Sequence, residues 1–437
     1  MPSLVERLKA GIDSFDVFQT AGKLRSSKGL LLSCTLPAAV GDHCQVLSSQ
    51  GAGYLGEVIG FGNDQAHVVL YEQAEVHPGM TVVRRERGAT LLAGDGLLGR
   101  VLDGLGRPID ERGPLERCRP QPFKRQAPPA LRRAPIRDVF ATGQRAIDGL
   151  LTCGRGQRVG IFAGSGIGKS TLLGEIAKYS ESEVNVIALI GERGREVRPF
   201  LDDCLGAEGL AKSVVVVATS DQTPLMRIRA ALTALNFADY FRGLGKQVLF
   251  MCDSLTRLAM AQRELGLALG EPPSARSYTP SVFQLLAGLV EGMGNSDRGS
   301  VTSLLTVLVE GDDMDEPIAD AVRSLVDGHI VLDRKLAELG HYPAINIGKS
   351  VSRVAHELMN ADHRNAARKV AAALATYAEA EDLIRIGAYV PGTSPQVDKA
   401  IELRPRILAF LRQGMNEHAE FAQTRSALLA IAAGWGF

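Results

Sequence analysis

A glycine-rich segment that ends in a lysine and a serine is the part of the sequence best suited to chemistry. Residues 163–171 read AGSGIGKST, with an apolar stretch before them and the helix-compatible LLGEIAKY after them. A strand, a glycine loop and a helix in this order are typical of a P-loop, which binds phosphate with backbone N–H groups and a helix N-terminus. Ala163 stands where the usual pattern begins with glycine. The segment predicts a nucleoside triphosphate site; the alternative is a glycine turn that merely ends a strand.

The P-loop pattern also assigns roles to individual side chains. Lys169 is expected to reach the β and γ phosphates of ATP, and the Ser170 hydroxyl is expected to bind Mg²⁺. ATP and Mg²⁺ are therefore the predicted ligands. The predicted nucleotide-binding residues of this segment are Gly164, Ser165, Gly166, Ile167, Gly168, Lys169, Ser170 and Thr171.

Two further carboxylates follow apolar stretches, which places them at the ends of predicted strands. Asp253 ends QVLFMCD and is expected to orient Mg²⁺ through water from the tip of the neighbouring strand, although many such aspartates only cap a loop. Glu192 lies in IGERGREV, where it is suited to position the attacking water, with Arg193 on the phosphates and Glu196 as the competing carboxylate. The alternative for this loop is a surface network of arginine and glutamate.

The elements that must position these residues belong to more than one domain, because 437 residues exceed what one core usually supports. Short apolar runs between turn residues predict a small β-barrel at 29–97. The region 98–357, with a proline-rich extended linker at 118–135, is predicted to be an α/β domain with a parallel sheet. Its buried-strand candidates, which alternate with helical stretches, lie at 159–162, 184–190, 214–218, 248–252 and 303–309.

The two ends of the chain carry helical patterns. Residues 358–437 are predicted to form a helical domain, with apolar residues at helical spacing that include Val370, Leu374, Tyr377 and Leu383. Residues 1–28 are predicted to be a partner-binding segment, and a frayed terminus is the alternative. Its apolar positions at near-helical spacing are Leu4, Leu8, Ile12 and Phe15.

Composition narrows the class of protein. Lys plus Arg and Asp plus Glu both number 49, so no overall charge attracts nucleic acid or anionic lipid. Six cysteines without a C-x-x-C pair argue against a zinc cluster and a disulfide framework, and they favour a reducing cytoplasm. No stretch approaches the roughly 20 apolar residues of a membrane span. We expect a soluble protein that is able to dock on a membrane complex.

Several segments in order resemble the rotary-type ATPases. They are AGSGIGKST, IGERGREV, ATSDQTPLMR, YFRGLGKQVLFMCDSLTRLAMAQRE, EPPSARSYTPSVF, GSVTSLLTVLVEGDDMDEPIAD and DGHIVLDRKLAELGHYPAINIGKSVSRV. Within that group the chain is similar to the flagellar and type III secretion ATPases, from GRVLDGLGRPID at 99–110 nearly to its end. The segment IGAYVPGTSPQVDKAI resembles the flagellar branch more than the injectisome branch.

This resemblance implies an assembly and a task. It implies a RecA-like nucleotide domain between the barrel and the helical domain, and a homohexameric ring with nucleotide at the subunit interfaces. ATP hydrolysis by such a ring would energise protein export through unfolding of cargo or release of chaperones. The partners implied are a regulator or stator protein at the N-terminus, a central coiled-coil stalk, an export-gate membrane protein, cargo and chaperones. The implied location is the cytoplasm, at the inner-membrane secretion complex.

The resemblance also implies roles for single residues. The GER segment makes Glu192 the catalytic carboxylate and Arg193 an arginine on the phosphate side, and DSLTR places Arg257 near the same site. SVSRV supplies Arg353, which would complete the neighbouring subunit's site as an arginine finger. The Y-P-A segment places Tyr342 against the adenine, with a core or surface tyrosine as the alternative.

The resemblance also implies a position for the loop at 271–280. The loop EPPSARSYTP would face the central channel, where a stalk or substrate could contact Arg276 and Tyr278; the alternative is an ordinary proline-rich loop.

A nucleic-acid motor of the Rho type is disfavoured by the neutral charge and by the lack of alternating aromatic and basic residues, so no nucleic acid partner is expected. An ATP synthase-type rotary subunit and a non-catalytic nucleotide-binding scaffold are the remaining alternatives; the presence of Glu192 argues against the scaffold.

Overall fold

Three regions follow one another along the chain: a β-barrel, an α/β region and a set of C-terminal helices. The computed structural model describes residues 20–48, 53–85, 90–123, 127–309 and 313–436. No helix in those ranges is long and apolar enough to cross a lipid bilayer.

The barrel consists of antiparallel strands that close in the order β1-β2-β5-β4-β3-β6. Alternating burial, as at Cys44 and Val46 of β3, directs one face of each strand into the barrel core. The strands are β1 (Ala21–Lys28), β2 (Leu31–Cys34), β3 (His43–Leu47), β4 (Gly53–Gly62), β5 (Gln65–Leu70) and β6 (Thr81–Arg84).

The barrel begins earlier in the chain than the predicted boundary at residue 29. Residues 21–28 were assigned to the N-terminal segment, yet they form β1, which pairs with β2 and β6. Of these eight residues only Leu24 is buried, so the strand carries no apolar alternation for sequence reasoning to detect. Residues 1–19, which hold the predicted partner-binding positions, lie outside the described residues.

The α/β region is built on a mainly parallel sheet in the order β19-β18-β12-β17-β15-β13-β14-β8. The five predicted buried strands correspond to β12–β15 and β17, whereas β8, β18 and β19 are too short to show a pattern. The strands are β7 (Thr90–Ala93), β8 (Arg100–Leu102), β9 (Arg119–Pro122), β10 (Val139–Phe140), β11 (Cys153–Gly154), β12 (Arg158–Ala163), β13 (Val184–Ile190), β14 (Ser213–Ala218), β15 (Gln247–Asp253), β16 (Gly294–Asn295), β17 (Ser300–Leu308), β18 (Gly328–Val331) and β19 (Val351–Ser352).

Helices cover both faces of this sheet, as its continuous apolar strands require. Val186 of β13 packs in the core under α5, α6 and α7, and its neighbour Ile187 packs in the core under α2 and the C-terminal helices. The helices are α1 (Arg145–Leu150), α2 (Lys169–Tyr179), α3 (Gly194–Pro199), α4 (Gly206–Ala211), α5 (Pro224–Gly243), α6 (Leu255–Ala268), α7 (Pro280–Glu291), α8 (Pro317–Leu325), α9 (Arg334–Glu338), α10 (Ala355–Leu358), α11 (Ala361–Arg385), α12 (Pro395–Leu411) and α13 (Phe421–Ala432).

The C-terminal helices form the predicted helical domain and attach to the α/β region through α1. Asn360 caps α11 by accepting a hydrogen bond from the backbone N–H of His363, and the His363 ring contacts the Gly149 carbonyl at 2.9 Å. Val370 is buried as its helical spacing predicts, but Leu383 is half exposed near the end of α11. The same domain therefore packs directly against α1, which precedes the glycine-rich loop in the chain.

Candidate active site

The glycine-rich loop joins the carboxyl end of β12 to the first turn of α2. Gly166 and Gly168 have φ angles of 77° and 87°, which residues with a Cβ rarely adopt. These two positions allow a tight backbone curl directly before the helix N-terminus, where free N–H groups and the helix dipole favour an anion. The loop therefore has the backbone conformation and the setting that phosphate binding requires.

Lys169, the first residue of α2, lies between two carboxylates. Its Nζ contacts Asp253 Oδ1 and lies 3.8 Å from Glu192 Oε1. Asp253 is also held from the sheet, because the Thr306 hydroxyl donates a hydrogen bond to Oδ1 at 2.8 Å. The structure thus brings together three residues that sequence analysis assigned to one site.

One detail of the predicted arrangement was wrong. Asp253 was expected at the tip of the strand next to the P-loop strand, but β17 lies between β12 and β15. A separation of two strands amounts to roughly 10 Å, yet the Lys169 and Asp253 side chains still meet above the strand ends. Thr306, on the intervening strand, is the residue that fixes the carboxylate, and no local pattern in the sequence marks it.

Glu192 follows β13 and carries an atom without a hydrogen-bond partner. Its Oε1 is buried, and no group among the described residues donates to it. Burial raises the pKa of Glu192 to about 7, and the negative charge of Asp253 adds to this effect while Lys169 opposes it. A buried acceptor beside the lysine is what a group that orients a water molecule needs.

The donor set near the loop suits Mg²⁺ bound mainly to phosphate. Among the described residues no cluster of three or more His, Cys, Asp or Glu side chains is able to hold a metal. Mg²⁺ usually keeps several waters and binds to one or two protein oxygens plus nucleotide phosphates. Ser170 at the start of α2 and the nearly buried carboxylate of Asp253 provide oxygens of that kind.

The two nearby arginines differ in their surroundings. Arg193 is largely exposed and lies 3.6 Å from Glu196, so the loop does contain the exposed ion pair that was the alternative. Arg257 instead packs beside the strand end: a Cβ added at Gly191 would lie 2.8 Å from Arg257 Cβ. Its Nε is buried and has no hydrogen-bond partner among the described groups. Arg257 is therefore close to Glu192, and its guanidinium has unused hydrogen-bonding capacity.

A cavity beside the loop is bounded by Tyr342. A Cβ added at Gly168 would lie 3.4 Å from two ring carbons of Tyr342, so the ring lies over the end of the loop. The cavity has a volume of about 730 Å³. Its other walls come from Thr171 and Leu172 on α2 and from residues 412–415 of the C-terminal region.

The C-terminal wall of this cavity was missed by sequence analysis. Gln413 donates its side-chain amide to Gly143 O at 2.7 Å, and its backbone N–H donates to Tyr342 O at 2.9 Å. These contacts join segments that are far apart in the chain, and the sequence around Gln413 carries no signal for them. The helical domain thus helps to build the site.

Tyr342→Ala is expected to raise the KM for ATP about five- to tenfold, because loss of an aromatic stacking surface costs about 1–1.5 kcal/mol. Tyr342 is 46% exposed, so thermal stability without nucleotide should change little. Tyr342→Phe keeps the ring and serves as the control, with a KM near that of the wild type. Equal effects of the two substitutions on steady-state kinetics would contradict a stacking role.

Arg353 lies at the opposite end of the sheet from the loop. Its backbone N–H donates to Asp327 O, just before β18, and its guanidinium donates to Arg323 O at 3.2 Å. Since β18 runs parallel to β12, this is the amino end of β12, whereas the loop follows the carboxyl end. About five residues of strand separate them, or roughly 15 Å. The exposed Arg353 side chain therefore cannot reach the phosphate loop of its own chain.

The loop at 271–280 differs in part from the expectation. Arg276 is exposed and pairs with Asp313 at 3.0 Å and Glu316 at 3.4 Å. Tyr278, however, is 8% exposed and packs in the core with α6 and α7. The prediction that a stalk or substrate contacts Tyr278 was therefore wrong, because its ring is buried in the apolar core.

Comparison with known proteins agrees with the geometry of the site. Residues 143–352 match the model of the ATP synthase alpha/beta family, nucleotide-binding domain, and residues 359–430 match that of the T3SS EscN ATPase C-terminal domain. A flagellum-specific ATP synthase of Bacillus subtilis is 47% identical over 96% of this chain and 97% of its own length. A type 3 secretion system ATPase of Pseudomonas syringae is 44% identical over 97% of this chain and 96% of its own length.

A solved structure shows the same fold. The assembled ATPase EscN from the type III secretion system of enteropathogenic E. coli superposes with a TM-score of 0.89 at 43% identity, over 94% of this chain and 100% of EscN. EscN is also known in complex with its central stalk EscO, with a TM-score of 0.87 at 42% identity over the same shares of the two chains. Full-length similarity in sequence and in fold, together with the Lys169, Asp253 and Glu192 cluster, leads to one assignment. The chain belongs to the flagellar and type III secretion ATPases of the ATP synthase alpha/beta family.

Proposed function

We propose that identical copies of this chain form a hexameric ring that hydrolyses ATP to drive protein export at a flagellar or type III secretion apparatus. The observation that carries the shared-site part of this proposal is the position of Arg353, at the far end of the sheet from the chain's own phosphate loop. An arginine finger at this position contacts the nucleotide of a neighbouring copy. The assembled state of EscN supports the same arrangement.

Each residue of the site has a proposed part in the reaction. Lys169 binds the β and γ phosphates, and Ser170 and Asp253 are the residues that would hold Mg²⁺. Bound Mg²⁺ would neutralise phosphate charge. Glu192 holds and orients the attacking water with its unpartnered carboxylate oxygen.

Three arginines supply positive charge near the phosphates in the proposed mechanism. Arg257, packed beside Glu192, and the more exposed Arg193 lie on the phosphate side, and Arg353 of the next copy stabilises the charge that develops in the transition state. The adenine base of ATP lies against Tyr342, in the cavity that the C-terminal region helps to enclose. Because the γ-phosphate site needs two copies, turnover depends on assembly.

The partners proposed for this chain follow from the relatives. EscN binds a central stalk, EscO, and we propose an equivalent coiled-coil stalk here. A regulator at the N-terminal segment, an export-gate membrane protein, cargo and chaperones are the other proposed partners, and the ring works in the cytoplasm at the inner-membrane complex. The flagellum-specific relative in Bacillus subtilis supports the flagellar branch.

Purified protein tests this proposal against a nucleic-acid motor. We expect Mg²⁺-dependent ATP hydrolysis that rises with protein concentration and is unchanged by single-stranded DNA or RNA at physiological salt. In the source organism, deletion of the gene should stop export of secreted substrates, and the wild-type gene should restore it where a Lys169→Ala gene does not. Strong stimulation by nucleic acid together with normal secretion in the deletion strain would overturn the proposal.

A further inference from the structure

Arg334 contacts the backbone of the glycine-rich loop, although no sequence pattern assigned it a role. It is the first residue of α9 and follows β18 through Asp333. Its Nη2 donates a hydrogen bond to Ser165 O at 3.1 Å. The same atom would lie 3.1 Å from a Cβ added at Gly164, so the guanidinium lies against two consecutive residues of the loop.

The segment that carries Arg334 contacts the loop a second time. Tyr342 lies over Gly168 at the other end of the loop. Asp333 closes this segment: its carboxylate accepts a hydrogen bond from the Asn346 side chain at 2.8 Å, and its N–H donates to Ala344 O at 2.8 Å. Residues 333–346 thus form a closed strap that holds the phosphate loop at both ends.

The contact at Ser165 has a consequence for the next residue. A trans peptide is planar, so the carbonyl of Ser165 and the N–H of Gly166 point in opposite directions. With the carbonyl held by Arg334, the N–H of Gly166 is directed away from the guanidinium, to the other side of the loop. A P-loop binds phosphate with such N–H groups, and a rotated peptide would present a carbonyl oxygen to the anion instead.

We propose that Arg334 is a positioning residue: it holds the 165–166 peptide in the orientation that binds nucleotide phosphate. The proposal rests on the proposed function, since it takes ATP as the ligand of the loop. Arg334 acts through the backbone and is exposed, so it adds little to the stability of the folded chain.

Equilibrium binding of ADP, a non-hydrolysable ATP analogue and AMP to the full-length protein tests the proposal. Arg334→Ala is expected to weaken ADP and the ATP analogue by a similar factor, about five- to tenfold, the value of one solvent-exposed hydrogen bond. AMP lacks the β-phosphate and should bind unchanged. In steady-state kinetics the KM should rise more than kcat falls, and Arg334→Lys, which keeps a charged donor, should recover part of the affinity.

Matched variants separate positioning from loss of charge. Lys335→Ala removes an exposed cation from the same helix, and we expect nucleotide binding close to that of the wild type. Melting temperatures without nucleotide should match across these variants.

Several outcomes would overturn the inference. Wild-type ADP affinity in Arg334→Ala would overturn it, and so would a loss confined to the triphosphate, which would indicate a direct γ-phosphate or intersubunit contact. In each case hydrolysis by the wild type leaves the proposed function standing, whereas a wild type without Mg²⁺-dependent hydrolysis would refute that function first.

Discussion

Arg353→Ala is expected to lower ATP turnover by about 10³- to 10⁵-fold, the range measured for arginines supplied in trans to phosphoryl transfer. This corresponds to roughly 4–7 kcal/mol of activation free energy. The affinity for ADP should stay near that of the wild type, because the proposed finger stabilises charge that develops at the γ-phosphate, which ADP lacks. The measurement is turnover per subunit across a range of protein concentrations.

Mixing two inactive variants gives the decisive form of this experiment. Lys169→Ala has a damaged phosphate loop but keeps Arg353. Arg353→Ala keeps an intact phosphate loop but lacks the finger. In mixed rings the first variant supplies fingers to the second, so activity should reappear on mixing. Arg364→Ala is a matched control, because Arg364 is also exposed and also donates to a single backbone carbonyl. No recovery on mixing, or turnover that stays constant on dilution of the wild type, would contradict the shared site.

Glu192→Gln is expected to lower kcat by about 10²- to 10⁴-fold, the usual contribution of a group that positions or deprotonates the nucleophile. Nucleotide affinity should be retained, because the amide has the same shape and Lys169 stays in place. Burial raises the pKa of Glu192, which means that the ionised carboxylate destabilises the folded state above the ordinary pKa of a glutamate. Melting temperature at neutral pH should therefore be equal or higher in the variant.

Glu196→Gln is the control for this substitution. Glu196 lies four residues further along, is about half exposed and pairs with Arg193, and it contributes less to the raised pKa of Glu192 than burial and Asp253 do. An exposed pair contributes little, so turnover should stay within about twofold of the wild type. Turnover is measured by phosphate release at saturating ATP and Mg²⁺. Loss of activity in Glu196→Gln with retention in Glu192→Gln would exchange the roles of the two carboxylates.

The sequence by itself predicted the features that short segments encode. Apolar stretches gave the five main strands of the α/β region, since a strand buried on both faces must be apolar throughout. The glycine spacing around Gly166 and Gly168 predicted the phosphate loop, because positive φ angles strongly favour glycine. Glu192 and Asp253 were predicted as site residues because each carboxylate stands at or just after the end of an apolar stretch, where α/β proteins bind ligands.

The tertiary structure alone decided which distant segments meet. The insertion of β17 between β12 and β15 made Thr306 the partner of Asp253, and folding of the C-terminal region beside α2 brought Gln413 to Tyr342. It also buried Tyr278 and placed Arg334 on the loop and Arg353 at the far end of the sheet. Apolar periodicity states which side of a strand or helix is buried, but it does not state the order in which strands pair. Contacts that depend on strand order and on the packing of whole domains are therefore absent from any local pattern, and they appear only when the chain is folded.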